Sequence, residues 1–245
     1  MLIAVLSDIH SNLGALDAVL RSIGSVDAVW HLGDVVGYGP EPDAVVARLR
    51  EAGAIGVRGN HDAAAVGDLS VEDFNVDARL AIEWTRATMS HETREYLAAL
   101  PELLVPEGSD FTLAHGSPRD PIWEYLTTTW AARENLSAFA TTYCLVGHTH
   151  SPLVLRERRA KNGDMQGLTV DPESRLDFDG RRAILNPGGV GQPRDGDARA
   201  SYMLIDTVGG MCSWQRVAYD VEATQAAMLA AGLPPRLARR LTFGA

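Results

Sequence analysis

Short apolar runs alternate with segments of helical periodicity over the first 57 residues. Residues 2–6, 27–32 and 54–57 are largely apolar runs bounded by polar residues or glycine, as in strands covered on both faces. Between them, leucine, isoleucine and valine recur every three to four residues over 13–23 and 45–49, which predicts two amphipathic helices. The order β-α-β-α-β predicts a largely parallel sheet with right-handed crossovers.

The pattern changes after residue 63. Residues 71–100 have helical periodicity, with Ser90 placed to cap a second helix and Pro101 to end it, so we expect a helical insert over about 64–101. Further apolar runs predict strands at 111–114, 143–146, 153–155, 183–185, 202–205 and 213–217. Turns become frequent beyond residue 151, which favours antiparallel pairing for the later strands.

Helical periodicity returns in two further places. Thr129 is placed to cap a helix over 130–140, and Asp220 to cap one over 221–231, before Pro234-Pro235 begins a short basic helix. No linker rich in proline or serine interrupts the chain. We therefore expect residues 1–245 to form a single domain of the α/β class.

Composition narrows the set of partners. The chain carries a net charge of −10 and is 46% hydrophobic. Binding to nucleic acid or to anionic membranes needs clustered lysine and arginine, so neither partner is expected. An anionic substrate is compatible with this charge, because bound divalent cations can invert the local field.

The cellular location is predicted from what the sequence lacks. Two cysteines, Cys144 and Cys212, provide no disulfide framework and suit a reducing compartment. The first residues have neither the basic region nor the cleavage site of a signal peptide. No apolar segment reaches the roughly 18 residues needed to span a bilayer. We expect a cytoplasmic protein.

Polar residues with metal-binding chemistry stand at the ends of five apolar runs. They are Asp8, His10, Asp34, Asn60, His61, His115, His148 and His150. Imidazoles combined with carboxylates suit manganese, zinc, iron, cobalt or nickel better than magnesium or calcium, which prefer oxygen ligands. Two carboxylates, one amide and four of the imidazoles, all but that of His61, give seven ligands. This number exceeds what one ion usually takes from a protein, so we expect two divalent metal ions bridged by one carboxylate.

A pair of divalent metal ions bridged by a carboxylate can catalyse reactions at phosphorus. A pair about 3.5–4 Å apart clamps the attacking and leaving oxygens of an in-line displacement at phosphorus, and lowers the pKa of a bridging water so that hydroxide can attack. His61 is left over when the seven ligands are counted. An imidazole beside such a centre is a candidate general acid for the leaving-group oxygen.

The chain resembles the calcineurin-like metallophosphoesterase superfamily through an ordered set of motifs: Asp8-x-His10, Gly33-Asp34, Gly59-Asn60-His61-Asp62, His115 and Gly147-His148-Thr149-His150. Segments 36–40 and 186–196 further resemble a subfamily of small bacterial and archaeal phosphoesterases. In that subfamily the fourth residue of the Asn-Pro-Gly stretch is commonly serine, whereas this chain has Gly189.

The resemblance implies a fold and a division of roles. The fold is a four-layer αββα sandwich of two mixed sheets flanked by helices. The first metal ion would be held by Asp8, His10 and His150, and the second by Asn60, His115 and His148. Asp34 would bridge the ions, and His61 would contact the phosphate and protonate the leaving group.

One departure from the superfamily concerns the catalytic histidine. In the protein-phosphatase branch an aspartate three residues after the bridging one supports that histidine, and here this position is Gly37. Support for His61 then comes from elsewhere, with Asp62 as one alternative, or is absent. A protein-phosphatase role is therefore not expected.

The substrate is predicted only by class. Hydrolysis of a small phosphomonoester or phosphodiester is expected, and the alternative is a catalytically weak binding scaffold of the same fold. Asn12 and Arg194 are candidate phosphate contacts, although Asn12 could instead be only a helix cap and Arg194 only a surface residue. Tyr38 could stack on a base or cover its loop. The insert and the terminal helix are candidate interfaces for a homodimer.

Overall fold

The computed structural model describes residues 1–159 and 163–245. In these ranges the chain forms twelve strands: β1 (Leu2–Leu6), β2 (Ala28–His31), β3 (Ile55–Gly56), β4 (Leu103–Leu104), β5 (Phe111–Ala114), β6 (Tyr143–Leu145), β7 (Pro152–Glu157), β8 (Met165–Leu168), β9 (Arg175–Asp177), β10 (Ala183–Pro187), β11 (Ala200–Asp206) and β12 (Met211–Val217). It also forms eight helices: α1 (Leu13–Ile23), α2 (Pro42–Glu51), α3 (Asn60–Val66), α4 (Val76–Thr88), α5 (His91–Ala99), α6 (Thr129–Asn135), α7 (Val221–Ala230) and α8 (Pro235–Phe243).

The strands build two mixed sheets of six strands each. The first has the order β3-β2-β1-β11-β12-β9, with β1, β2 and β3 parallel and the remaining pairs antiparallel. The parallel N-terminal half confirms the order predicted from the alternation of strands and helices. The crossovers α1 and α2 return the chain so that each of these strands runs in the same direction.

The second sheet has the order β4-β5-β6-β10-β7-β8. Its pairs β5–β6 and β6–β10 are parallel, whereas β10–β7, β7–β8 and β4–β5 are antiparallel. The expectation of antiparallel pairing after residue 151 is therefore wrong for one side of β10. The pairing differs because β10 inserts between β6 and β7, a long-range choice that turn frequency does not encode.

Three apolar clusters define the layers. Side chains from both sheets, including Ile3, Trp30, Leu113 and Leu185, meet in the cluster between the sheets. A second cluster joins the outer face of the first sheet to α1, α2 and α5, and a third joins the outer face of the second sheet to α6. The order helix, sheet, sheet, helix confirms the four-layer αββα sandwich. Among the described residues, no helix is both long and apolar enough to cross a bilayer.

Two helix starts differ from the sequence prediction. In the insert, α4 begins at Val76 rather than near residue 71, because the Asn75 side chain accepts a hydrogen bond from Ala78 N and caps the helix there. Thr128, not Thr129, caps α6, whose last residue is Asn135 rather than a residue near 140. The predicted cap of α5 is confirmed, since Ser90 accepts from Thr93 N.

Candidate metal centre

All eight candidate residues lie together at one edge of the sandwich. The loops after β1 and β2 of the first sheet carry Asp8, His10 and Asp34, and those after β5 and β6 of the second sheet carry His115, His148 and His150. Asn60 and His61 are the first residues of α3, which follows the short loop after β3. These loops all leave the carboxyl ends of parallel strands, where α/β proteins place their sites. None of the eight residues is more than 4% exposed.

The loops hold an unusual backbone conformation. Five of the candidate ligands have positive φ: Asp8, His10, Asp34, His148 and His150, with φ between 49° and 65°. This region is uncommon for residues other than glycine and costs on the order of 1–3 kcal/mol each where the surroundings impose it. Hydrogen bonds between loops impose it here: Asp8 N donates to Gly33 O at 3.1 Å, and His10 N donates to Asp34 O at 2.9 Å. The side chains are therefore held in place by the backbone.

The first group of donor atoms comes from Asp8, His10, Asp34 and His150, which all lie within 4.8 Å of one another. The His10 and His150 Nε2 atoms are 3.2 Å apart, and His150 Nε2 lies 3.3 Å from Asp8 Oδ1. His10 Nε2 lies 3.6 Å from Asp34 Oδ2. Two imidazoles and two carboxylates thus converge on a single point.

The second group shares Asp34 with the first. Asp34, His115 and His148 place their donor atoms within 4.8 Å of one another. His115 Nε2 lies 3.4 Å from Asp34 Oδ2, 3.0 Å from His148 Nδ1 and 3.2 Å from Asn60 Oδ1. Because Asp34 is the one carboxylate common to both groups, it occupies the position that a bridging ligand requires.

Hydrogen bonds at the outer ring nitrogens show that the cluster suits cations. Nδ1 of His10, His115 and His150 lies 3.2, 2.8 and 2.6 Å from the carbonyl oxygens of Val36, Leu32 and Gln192. A proton on each Nδ1 leaves Nε2 as an acceptor directed into the cluster. The Nε2 atoms of His10 and His150 then face each other with lone pairs, an arrangement that a cation between them stabilises.

Asn60 and His148 give the same indication. The Asn60 amide directs its oxygen at Asp34 and His115, whose facing atoms are also acceptors. The amide could donate hydrogen bonds to them only if its oxygen and nitrogen were exchanged. The oxygen-inward orientation is the one that a metal ligand adopts. His148 directs Nδ1 at His115 Nε2 over 3.0 Å, a second close pair of ring nitrogens that a cation between them stabilises. The residues present therefore fit two divalent cations.

Burial sets the protonation states of the cluster. It lowers the pKa of His10 and His150 well below the usual value and that of His148 to about 3, so these rings are neutral, as metal ligation requires. Burial favours the neutral form of Asp34, but the adjacent His115 ring outweighs it and holds the pKa of this carboxyl well below its usual range. Against burial, Asp34 in turn raises the pKa of His115 to about 9, and a cation bound here would displace the His115 proton.

The comparisons with known proteins agree with this geometry. The sequence profile described as the calcineurin-like phosphoesterase superfamily domain matches residues 1–210. The chain belongs to this superfamily. It is 36% identical over 249 residues to an uncharacterised protein of Methanocaldococcus jannaschii, with 99% of this chain and 98% of that protein covered.

Two solved structures have the same fold. The crystal structure of a metallophosphoesterase from Sphaerobacter thermophilus superposes with a TM-score of 0.90 at 46% identity, covering 100% of this chain and 99% of that one. A hypothetical protein from Pyrococcus horikoshii superposes with a TM-score of 0.80 at 20% identity, covering 100% and 98%; this second likeness concerns the fold alone. The superfamily and its Sphaerobacter member support phosphoester hydrolysis as the general activity.

The departure from the protein-phosphatase branch has a steric counterpart at His61. The His61 ring packs directly on Gly37, where a Cβ atom would lie 2.5 Å from Nδ1. That nitrogen is buried, and nothing in residues 1–159 or 163–245 forms a hydrogen bond with it. Both carboxylate oxygens of Asp62 accept main-chain hydrogen bonds instead, from Val36 N at 3.0 Å and Gly59 N at 2.9 Å. The alternative that Asp62 supports His61 is therefore wrong.

Aromatic rings surround His61 in place of a carboxylate. The Tyr38 ring lies 4.4 Å from it between centroids, and Phe74 meets it edge-on at 5.2 Å. Phe74 in turn contacts Trp123 at 5.0 Å. Burial lowers the pKa of His61 to about 4. Phe74 and Trp123 were not predicted as site residues: no motif contains them, and Phe74 lies in a turn within a stretch that was predicted to be helical.

We expect Gly37→Ala to displace His61 and to reduce phosphoester hydrolysis while the metal cluster persists. The new Cβ meets the imidazole, and Gly37 has a φ of +92°, which an alanine adopts only with strain. A loss of one to two orders of magnitude is expected, comparable to the roughly 10²-fold effect of a misplacement of 1 Å. Gly67→Ala, with φ +101° and an open surrounding, controls for backbone strain alone. Equal losses in both variants would contradict the steric explanation.

The loop that carries Trp123 and Tyr125 is anchored by Glu124. Ser117 Oγ donates to its carboxylate at 2.5 Å, Asn135 Nδ2 at 2.9 Å and Arg119 Nε at 2.9 Å. Burial opposes the charge, but these donors outweigh it and lower the pKa of Glu124 to about 2. The anchored loop places the Tyr125 ring on His148 with centroids 3.9 Å apart.

A cavity of about 90 Å³ lies over the cluster and is lined by residues of both donor groups, together with His61, Phe74, Trp123 and Arg194. This space is large enough for a phosphoryl group above the cluster. A larger groove of about 660 Å³ lies at the amino ends of β2 and β3, away from the cluster.

The two predicted phosphate contacts differ in their surroundings. Asn12 caps α1: its Oδ1 accepts from Ala15 N at 3.0 Å and its Nδ2 donates to Gly191 O at 2.9 Å. This favours the helix-cap alternative, and its contact with substrate stays a prediction. Arg194 lines the cavity, lies 3.4 Å from the Tyr38 hydroxyl, and has a buried Nε without a partner. Its surroundings suit an anion.

Proposed function

We propose that this protein hydrolyses phosphoesters with two divalent metal ions. The observation that carries the proposal is the pair of buried donor groups that share Asp34, each with its acceptor atoms directed inward. Asp8, His10 and His150 hold the first ion, and Asn60, His115 and His148 the second. Manganese, zinc, iron, cobalt and nickel all suit these ligands.

The ions, when bound, supply a water nucleophile of lowered pKa and neutralise the charge on the phosphoryl oxygens. The side chains of the cavity perform the remaining tasks. Arg194, which lines the cavity, binds a phosphoryl oxygen through its guanidinium group and orients the ester. Phe74 and Trp123 exclude water from the side opposite the cluster, because their rings cover the cavity.

His61 transfers a proton to the leaving-group oxygen. Nδ1 is buried against Gly37, so Nε2 is the ring nitrogen available to the cavity. Burial alone favours the neutral ring, and the negative charge of a bound phosphoryl group favours the imidazolium. The leaving group therefore departs as an alcohol rather than as an alkoxide.

The test is hydrolysis of paired aryl phosphate monoesters and diesters by metal-stripped protein reloaded with manganese, zinc or magnesium. We expect turnover only after reloading, with manganese or zinc exceeding magnesium because imidazole ligands suit the former ions. The preferred ester separates phosphatase from phosphodiesterase activity. Protein that holds two ions and hydrolyses neither ester would contradict the proposal and favour the binding scaffold.

A further inference from the structure

Helix α8 presents a basic face beside the cavity. Leu237, Ala238 and Leu241 are buried against the rest of the protein. Arg236, Arg239 and Arg240 instead line a groove of about 860 Å³, whose other wall is the start of α4. This concentration of arginine stands out in a chain whose net charge is −10.

The positive charge in this groove is only partly balanced. Arg236 Nε lies 3.8 Å from Asp77, the nearby carboxylate, and Arg240 Nε donates to the Ala245 main-chain oxygen at 2.6 Å. Within residues 1–159 and 163–245, Arg239 makes neither an ion pair nor a hydrogen bond. The amino end of the 13-residue helix α4 adds the positive end of its dipole to the same groove.

The groove continues the cavity over the metal cluster. Asn75 lines both, and Tyr38, which contacts His61, belongs to the apolar cluster that also contains Leu237 and Leu241. Arg194 Nη2 donates to the hydroxyl of the same Tyr38 at 3.4 Å, so Tyr38 connects Arg194 with α8. A cationic surface therefore runs from Arg194 at the cavity to α8.

We propose that this groove binds the distal phosphates of the substrate, so that the preferred substrates are polyphosphorylated esters. The inference rests on the proposed phosphoesterase function. The cavity suits a phosphoryl group, and whatever follows it along the substrate reaches the groove, whose wall carries Arg236, Arg239 and Arg240 beside the exposed Val76 and Phe243. Guanidinium groups bind phosphate through parallel hydrogen bonds, which suits a chain of phosphates. Three arginines in a chain of net charge −10 are too few to hold a nucleic acid.

The first experiment compares two inhibitors of aryl phosphate hydrolysis, inorganic phosphate and inorganic tripolyphosphate, at a buffered free metal concentration. We expect tripolyphosphate to bind more tightly to the wild-type protein. In the double variant Arg239→Gln/Arg240→Gln, the affinity of tripolyphosphate relative to phosphate should fall by about tenfold or more, because two charge-assisted contacts with phosphate are removed. The ratio of the two inhibition constants cancels differences in metal loading.

The matched control is Arg21→Gln/Arg175→Gln, which removes the same charge from two exposed arginines outside the groove. Its inhibitor ratio should equal that of the wild type. An unchanged ratio in the groove variant, or an equal loss in both variants, would overturn the inference.

The second experiment measures binding of tripolyphosphate to metal-free protein by calorimetry and does not depend on turnover. Binding should be about tenfold weaker in the groove variant than in the control variant. If no metal supports hydrolysis, the proposed function fails, and this difference in affinity still supports the groove as an anion site. Equal affinities in the two variants would refute the groove whether or not the protein hydrolyses esters.

Discussion

Asp34→Ala is expected to lose both metal ions and hydrolytic activity together. Its carboxylate is the one acceptor common to both donor groups, so each group loses a ligand when it is removed. Two metal ions supply several kcal/mol of transition-state stabilisation, and we expect kcat/KM to fall by about 10³-fold or more. Metal content measured by elemental analysis should fall in parallel with the rate.

The variant also removes a structural hydrogen bond, since Asp34 Oδ1 accepts from His61 N at 2.9 Å. Asp34→Asn keeps the shape of the side chain and an oxygen that can accept from His61 N, so it tests the effect of the negative charge alone. Asp73→Asn is the matched control, because Asp73 lines the cavity and belongs to neither donor group. Full activity in Asp34→Asn with two ions bound would show that the bridging assignment is wrong.

His61→Ala should keep both ions and lose rate. The His61 side chain belongs to neither donor group, so metal content is expected to equal that of the wild type. General acid catalysis contributes typically about 10²–10⁴-fold. The loss should be largest for esters of weakly acidic alcohols, which need the proton most, and small for nitrophenyl esters. The measurement is kcat/KM across aryl phosphates whose phenols differ in acidity.

His115→Ala provides the contrast, because it removes an imidazole of the second donor group. It should lose metal and should slow all esters alike. Loss of metal from His61→Ala, or a rate loss independent of the leaving group, would remove the distinction between the ligands and the acid.

The hydrophobic pattern of short segments predicted the helices and strands and the position of the candidate ligands at the strand ends. Each ligand follows an apolar run, and parallel strands must end at the same edge, so Asp8, Asp34 and Asn60 could be placed together before the fold was seen. The parallel pairing of β10 with β6 could not be predicted, because it joins strands almost forty residues apart in sequence. The residues of neither strand indicate which strand it will pair with.

The surroundings of His61 show a second limit of prediction from sequence. The replacement of aspartate by Gly37 was visible in the sequence, and the loss of a supporting carboxylate followed from it. The contribution of Phe74 was not visible, because its contact with His61 depends on how the segment before α4 crosses the cavity. The sequence predicted α8 as a short basic helix. It did not predict that the arginines lie beside the cavity, because that position depends on the packing of Tyr38 against α8.

The strand order has a consequence for the assembly of the enzyme. In the first sheet β1 lies between β2 and β11, and in the second β10 lies between β6 and β7. The second sheet is complete only once residues 183–187 have been made, and the first only once residues 211–217 have been made, both well after the last candidate ligand, His150. The donor groups are therefore assembled only after these late, long-range pairings have formed, so a nascent chain that already contains every candidate ligand still lacks the site.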